Sequence, residues 1–328
     1  MPETRNQHII PQMHLRHWSD EKAQAWVCDV VSQKIFKTNI RNICAQRDYY
    51  EMKQNIDLPY PLEEVLSEEI EGPAAEPLAK LAQGNVTDFK RQDHDSLCHY
   101  FGHQIGRTPF MHKQLDKIAI KLQHESAMKV LADEAKFQKF EKEWKAEHPN
   151  RACLTREELI DAIQGDGIVW KTKDNDHNLT TMMILGRVMA ESYRSQRWTL
   201  LVATAGRQFI CNDHPVVTVT GLLQYEPRTE TVIPISPRAC LLLDKGERFR
   251  GVSIVTAQAQ MVRDVNRRIA VHTDRFLVAN NEPLLLRMAK VRESDQSIVS
   301  QLQTRIPGDA LEHTNFRSIS RTLYPSRH

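Results

Sequence analysis

The texture of the chain changes once, near Trp198, and that change limits the fold more than any single motif does. Ahead of it, apolar residues recur every three or four positions through charged sequence, the spacing of amphipathic helices. Leu62, Val65, Leu66 and Ile70 do so in "PLEEVLSEEIEG", Leu78 and Leu81 resume after the Gly72–Pro73 break, and Leu97, Phe101 and Ile105 lie four apart. From Met111 to Lys145 charges alternate with Leu115, Ile118, Leu122, Met128, Leu131, Phe137 and Phe140, as in a helix or helix pair with one solvated face. Thr155 with Glu158 fits a capping box that opens a helix to Ile163, and a further helix runs from about Leu179 to Arg197. Behind Trp198 come short β-branched runs parted by Gly, Pro and Asp: "WTLLVATA", "QFICND", "PVVTVTG", "TVIPIS" and "CLLLD". One helix, about Ala257 to Ala270, precedes a strand at "RFLVAN".

Near the other end, Ala25 to Ile43 reads as two short strands about a polar turn at Ser32–Gln33. The expected fold is therefore α+β, with an N-terminal β-hairpin, a largely helical middle and a β-rich C-terminal half holding one further helix. Two lobes follow, 1–197 with the hairpin and helices and 198–328 with the β-rich part and a basic tail, or the same parts packed as one compact domain. The tail, His313 to His328, contains Arg317, Arg321 and Arg327 and no acid.

Composition narrows the function classes. The 328 residues, 41% hydrophobic and 26% charged, can bury a substantial core and argue against disorder. A formal net charge of +2 argues against a coat protein for duplex DNA, so RNA or DNA must be held by a local basic patch. Six scattered cysteines with no CxxC pair imply reduced thiols rather than a zinc site or a disulfide scaffold. No apolar run approaches the ~18 residues of a membrane span, and the N-terminus has no apolar signal core. The expectation is a cytoplasmic protein with no membrane contact, with a protein partner or a homo-oligomer left open.

The opening "HIIPQMHLR" is the first of a set of motifs that occur in a fixed order. It is followed by "RDYYE", "LEEVLSEEIEG", "QIGRTP", and "NDHPV" with "VIPISP". In this the chain resembles the bacterial family called domain of unknown function 4238, with its H-x-x-P-Q-x-x-L-R signature, over about Asn6 to Asn280. It departs from that pattern at His14, where Tyr is common, at Trp18, where Phe is common, and at His214, where Asn is usual. The resemblance implies no established activity, so chemistry has to come from residue types.

His8, Gln12 and Arg16 lie four apart. If Pro11 starts a helix, Gln12 and Arg16 share one face, and an imidazole, an amide and a guanidinium at a helix start can clamp an anion. Their structural alternative is tying neighbouring carbonyls and carboxylates into the fold. Glu64 and Glu71, seven apart, fall on nearly one helical face and could bind a hard cation such as Mg²⁺ or Mn²⁺ or act as a base; an acidic helix start needs neither role. Gln104 and Arg107 precede Thr108–Pro109, and Arg107 is either a second anion contact or the buried partner of a carboxylate such as Glu71, the pair being favoured. His99 and His103 sit at i, i+4 without the pattern of a metal site. Asp213 lies at a strand end before Pro215, where it is either catalytic or a turn cap. Nucleophile elbows, Walker loops and GxGxxG are absent.

Taken together these residues predict a polar pocket with His8, Glu71 and Asp213 as catalytic groups. Gln12, Arg16, Gln104 and Arg107 bind substrate, and Glu64, Glu71 and Asp213 serve as metal ligands. Basic groups for phosphate and carboxylates for a metal or base are what phosphodiester hydrolysis requires, so the leading expectation is a metal-dependent nuclease, with defence against foreign nucleic acid as its setting. The alternatives are a non-catalytic interaction module with a structural polar core, and an enzyme on a small phosphorylated metabolite.

Overall fold

Pro11, with φ −57°, leads into a single helical turn, as its ring geometry favours, and this fixes the course of the N-terminus. In the computed structural model, residues 6–53, 61–165, 167–170, 175–219, 230–244 and 251–303 are described. The tail arginines Arg317, Arg321 and Arg327 lie outside them. The chain begins with β1 (Asn6–His8), α1 (Gln12–Leu15), β2 (Gln24–Asp29), β3 (Lys34–Asn39) and β4 (Ala45–Arg47). Helices follow: α2 (Pro61–Val65), α3 (Gly72–Ala82), α4 (Arg91–Gly106), α5 (Pro109–Ala132), α6 (Glu134–Glu147), α7 (Arg156–Gln164) and α8 (Asp176–Arg194). Then come β5 (Arg197–Ala203), β6 (Cys211–Asn212), β7 (Val217–Val219), β8 (Glu230–Ser236), β9 (Ala239–Asp244) and β10 (Val252–Ala257). The chain closes with α9 (Ala259–Val271), β11 (Phe276–Ala279) and α10 (Glu282–Gln303). The fold is α+β, with the expected N-terminal hairpin, helical middle and β-rich C-terminal part. Helix α10 is an addition that the sequence reading did not include.

The hairpin turn is built by Asp29, whose Oδ1 accepts the Val31 and Ser32 amides at 3.0 and 3.1 Å, an Asx turn that lets Gln33 take φ 57°. This hairpin is continuous with the C-terminal strands. Its β2 pairs antiparallel with β11, Val27 against Val278, and β6 completes a sheet of order β3-β2-β11-β6. A second sheet has the order β10-β5-β9-β8-β7, and β1 pairs with β4 in a two-stranded sheet. One hydrophobic core lies between the first sheet and α9, where Val262, Val265 and Ile269 repeat at helical spacing. The other gathers Leu97, Phe101, Leu179, Tyr193 and Trp198 with the inner face of the second sheet. Each such side chain contributes roughly 1.5–3 kcal/mol of burial.

Two sequence features shape the helical layer around the site. Between α2 and α3 the chain forms a π-helical turn, Leu66–Glu71. Pro73 has no amide hydrogen and its ring crowds the carbonyl four residues back. The helix widens ahead of it, and the Gly72 amide reaches five residues back to the Ser67 carbonyl. Helices α4 and α8 approach closely because Gly102 and Gly186 face each other. A Cβ at Gly102 would meet the Gly186 carbonyl and the Ala190 amide, and one at Gly186 would meet the His103 ring. Among the described residues no helix is long and apolar enough to cross a membrane, and all six cysteines are free thiols.

Candidate functional site

Arg107 ends α4 with its side chain only 2% exposed, and each nitrogen of the guanidinium has a partner. Nη1–H donates to Glu71 Oε1 at 2.7 Å, Nε–H to the Tyr50 hydroxyl at 2.8 Å, and Nη2–H to the His8 carbonyl at 2.8 Å. The Tyr50 hydroxyl donates in turn to that same carbonyl at 3.0 Å. Burial works against a charge on Arg107. The neighbouring Tyr50 and Glu71 outweigh it and hold the guanidinium protonated, its pKa above the ordinary value. A buried guanidinium without such a set would cost several kcal/mol.

The residues around this centre hold the backbone that holds Arg107. Gln7, fully buried, accepts the Tyr50 amide at 2.6 Å through Oε1 and donates to Glu63 Oε2 at 2.7 Å. Gln104 donates to the Ile9 carbonyl at 2.9 Å, and its own Oε1 is buried with no partner among the described residues. The Tyr49 hydroxyl donates to the Arg107 carbonyl at 2.8 Å, and its ring stacks on His112. His14 joins the layers: its Nε2 bonds the Pro234 carbonyl at 2.7 Å, so Nδ1 is left to accept from Tyr100 at 2.9 Å. Burial lowers its pKa to about 4, so it is neutral.

Two groups at the centre keep unused valence. Glu71 is 23% exposed, and its Oε2 makes no hydrogen bond among the described residues. The π-helical turn sets this pose, because it brings the carboxylate to Arg107 while Leu66 and Ile70 remain buried. The second group is His8, whose Nε2 is buried and likewise has no partner among the described residues. Burial lowers its pKa and Arg107 pushes it further down, while Glu71 and the backbone carbonyls of Arg41 and Ile40 beside the ring pull it up; burial wins, so the imidazole is neutral near pH 7.

Asp213 belongs to a different network. Its Oδ1 accepts the Asp274 amide at 3.0 Å, and its Oδ2 accepts the Arg275 and Phe276 amides at 2.6 and 2.9 Å. The carboxylate thus fixes the entry to β11. Burial raises its pKa to about 6 against the pull of those three N–H groups. Next to it, His214 bonds the Thr108 hydroxyl at 3.0 Å, and Thr108 caps α5 through the Met111 amide. "NDHPV" and "QIGRTP" are therefore joined by side chains.

Of the residues singled out from the sequence, His8, Glu71, Gln104 and Arg107 are brought together at the junction of β1, the π-helical turn and α4. Gln12, Arg16 and Glu64 are exposed on the surface. Among the described residues no group of three or more His, Cys, Asp and Glu is placed to hold a metal ion, and Glu64, Glu71 and Asp213 are not gathered into one. His103 Nδ1 bonds the His99 carbonyl at 2.8 Å, and His99 Nε2 takes Arg194 at 2.7 Å, so both rings have local partners. The sequence reading gave no role to Tyr50, which supplies the hydroxyl that joins Arg107 to β1. The signal was present in "RDYYE", but nothing in residue type separates its two tyrosines.

The family model described as protein of unknown function, DUF4238, matches residues 6–283. No curated protein and no solved structure matches the chain.

Proposed function

The chain belongs to the DUF4238 family, which brings no activity with it, and we propose from the site itself that the protein is a nuclease-like hydrolase in which Glu71 and His8 act on a phosphodiester of RNA or DNA. The observation that carries this reading is the state of Glu71. One oxygen is pinned by Arg107 at 2.7 Å, while the other makes no hydrogen bond among the described residues, on a side chain that is 23% exposed. A π-helical turn places it, and such turns recur at functional sites. Glu71 Oε2 takes a proton from water, the water oxygen bonds to phosphorus, and the bond from phosphorus to the leaving oxygen breaks; that oxygen leaves with the electron pair and takes up the proton that Glu71 held, relayed by solvent. His8, neutral and within electrostatic reach of Glu71, orients the water. Gln12, at the start of α1, and Arg16, just past its end, are exposed and contact the phosphate. The six free thiols support a cytoplasmic setting.

The test is incubation of the purified protein with labelled RNA and DNA in the presence of Mg²⁺, Mn²⁺ or EDTA. Cleavage is expected, and Glu71→Gln should reduce its rate roughly 10²–10⁴-fold, the range for loss of a general base. Absence of cleavage under every condition would sink this reading. A second reading, a non-catalytic module with a structural polar core, is favoured by the protein partner that each guanidinium nitrogen of Arg107 has. In that case Glu71→Gln changes stability alone.

A further inference from the structure

Away from this site, α9, α10 and the loop Gly206–Gln208 enclose an open cavity of about 670 Å³. That is within the range of small-molecule pockets, roughly 300–1,000 Å³. Four cations, Arg207, Arg263, Arg287 and Lys290, stand on its rim, all exposed, and no lining residue is acidic. In a chain with 44 basic and 42 acidic residues, cations normally find carboxylates nearby, as Arg268 does with Glu230 and Arg275 with Asp29. Among the described residues these four make no ion pair, and Arg263 Nη2–H donates to the neutral Gln260 Oε1 at 2.5 Å. Like charges around one opening repel each other until an anion enters.

The floor has a different character. Val262, Leu284, Met288 and Val291 line it with aliphatic surface. The two lining asparagines are already committed. Asn266 accepts the Ile210 amide at 3.0 Å and donates to the Gln208 carbonyl at 2.8 Å; Asn281 accepts the Leu284 amide at 2.9 Å and donates to Gln208 Oε1. The lining therefore offers positive charge above and apolar contact below, rather than the paired donors and acceptors that a nucleobase edge needs. The basic segment His313 to His328 has the wrong sign to fill it.

We propose that this cavity binds a small soluble anionic amphiphile, with a phosphate-like head on the arginine–lysine rim and an aliphatic body on the α9–α10 floor. It shares no residue with the His8–Glu71–Arg107 centre, so it stands whether or not that centre cleaves nucleic acid.

Titration calorimetry of the full chain with hexyl, octyl and decyl phosphate, each below its micelle concentration, tests this. Binding should saturate at one site and tighten with chain length, approaching about fourfold for each fully buried methylene. Inorganic pyrophosphate, which carries charge alone, should bind at least about tenfold more weakly than decyl phosphate. The triple variant Arg263→Ser, Arg287→Ser, Lys290→Ser changes only exposed side chains, so it should melt like the parent and lose about tenfold or more in decyl phosphate affinity. Four results would overturn the proposal: affinity independent of chain length, unchanged binding by the triple variant, ADP binding more tightly than decyl phosphate, or binding only to phosphatidylglycerol vesicles.

Discussion

The Arg107 and Asp213 clusters are both buried, both charged and both built on motifs that stand out in the sequence, yet they use charge in opposite ways. Asp213 commits both its oxygens to three consecutive backbone amides at the start of β11. Neither oxygen is without a partner, and the result is a fixed chain path. Arg107 instead gathers side chains and a carbonyl from β1, the Tyr49–Tyr50 segment and the π-helical turn, and leaves Glu71 with one free oxygen at an accessible edge. A buried charge whose partners are local amides is a structural knot. A buried charge that poses another group, and leaves that group unsaturated, is where chemistry can occur.

The largest expected effect comes from removing the poser. Arg107→Met keeps volume but strands Glu71 and takes donors from Tyr50 and the His8 carbonyl, so it should cost about 3–5 kcal/mol. Urea or thermal melts measure this. A cost below about 1 kcal/mol would mean that the pair is not structural, and the comparison would collapse on that side. Asp213→Asn should cost less, about 1.5–3 kcal/mol, because the amide replaces one acceptor oxygen with a donor facing backbone N–H groups. Hydrogen exchange should localise that loss to β11 and β6, whereas Arg107→Met should loosen β1 and the π-helical turn.

Each cluster also has a neutral buried histidine, His14 bonded to Tyr100 and His214 bonded to Thr108, both with pKa lowered by burial to about 4. In the unfolded chain these rings titrate near 6.5. Between pH 6.5 and 4 the unfolded state therefore binds more protons, and stability falls as pH falls through that window. At pH 5 each ring should withdraw roughly 2 kcal/mol relative to pH 7. Asp213 acts in the opposite sense, since its raised pKa lets the folded state take up a proton first, and it offsets part of the loss. Melts of His14→Gln and His214→Gln between pH 5 and 7 measure each share. Parallel curves for parent and variants would show that the rings titrate freely in the fold.

What could be read from the sequence follows from whether an interaction has a period. The α+β layout, the Ser32–Gln33 turn and the Thr155–Glu158 cap rest on local spacing, and each is present. The Arg107–Glu71 pair was legible because a buried guanidinium needs a carboxylate, and the acidic "EEIE" run was within reach. What could not be read is where a side chain spends its bonds across the fold. Asp213 and Glu71 look alike as carboxylates beside a proline or glycine, and only the β6–β11 pairing consumes the first. Gln12 and Arg16 share the right helical spacing, but α1 is a single turn that buries His14 and Leu15 and leaves them outside. Tyr50 could not be told from Tyr49 in "RDYYE" because the partner that distinguishes it is 57 residues away.

The smallest expected effect separates the two kinds of polar residue within the Arg107 cluster itself. Gln104 makes one bond, to the Ile9 carbonyl at 2.9 Å, while its Oε1 is buried without a partner among the described residues. Gln104→Leu removes the bond, which costs about 1 kcal/mol, and leaves the Ile9 carbonyl without that donor. It also removes the unpaired oxygen, whose burial carries a penalty of similar size. The two terms oppose each other, so the net change should stay within about 1 kcal/mol, far below that of Arg107→Met three residues on. Melts of the two variants side by side decide the point. A loss of about 3 kcal/mol or more for Gln104→Leu would show that its oxygen has a partner essential to the fold, and that Gln104, like Arg107, poses the site rather than merely lining it.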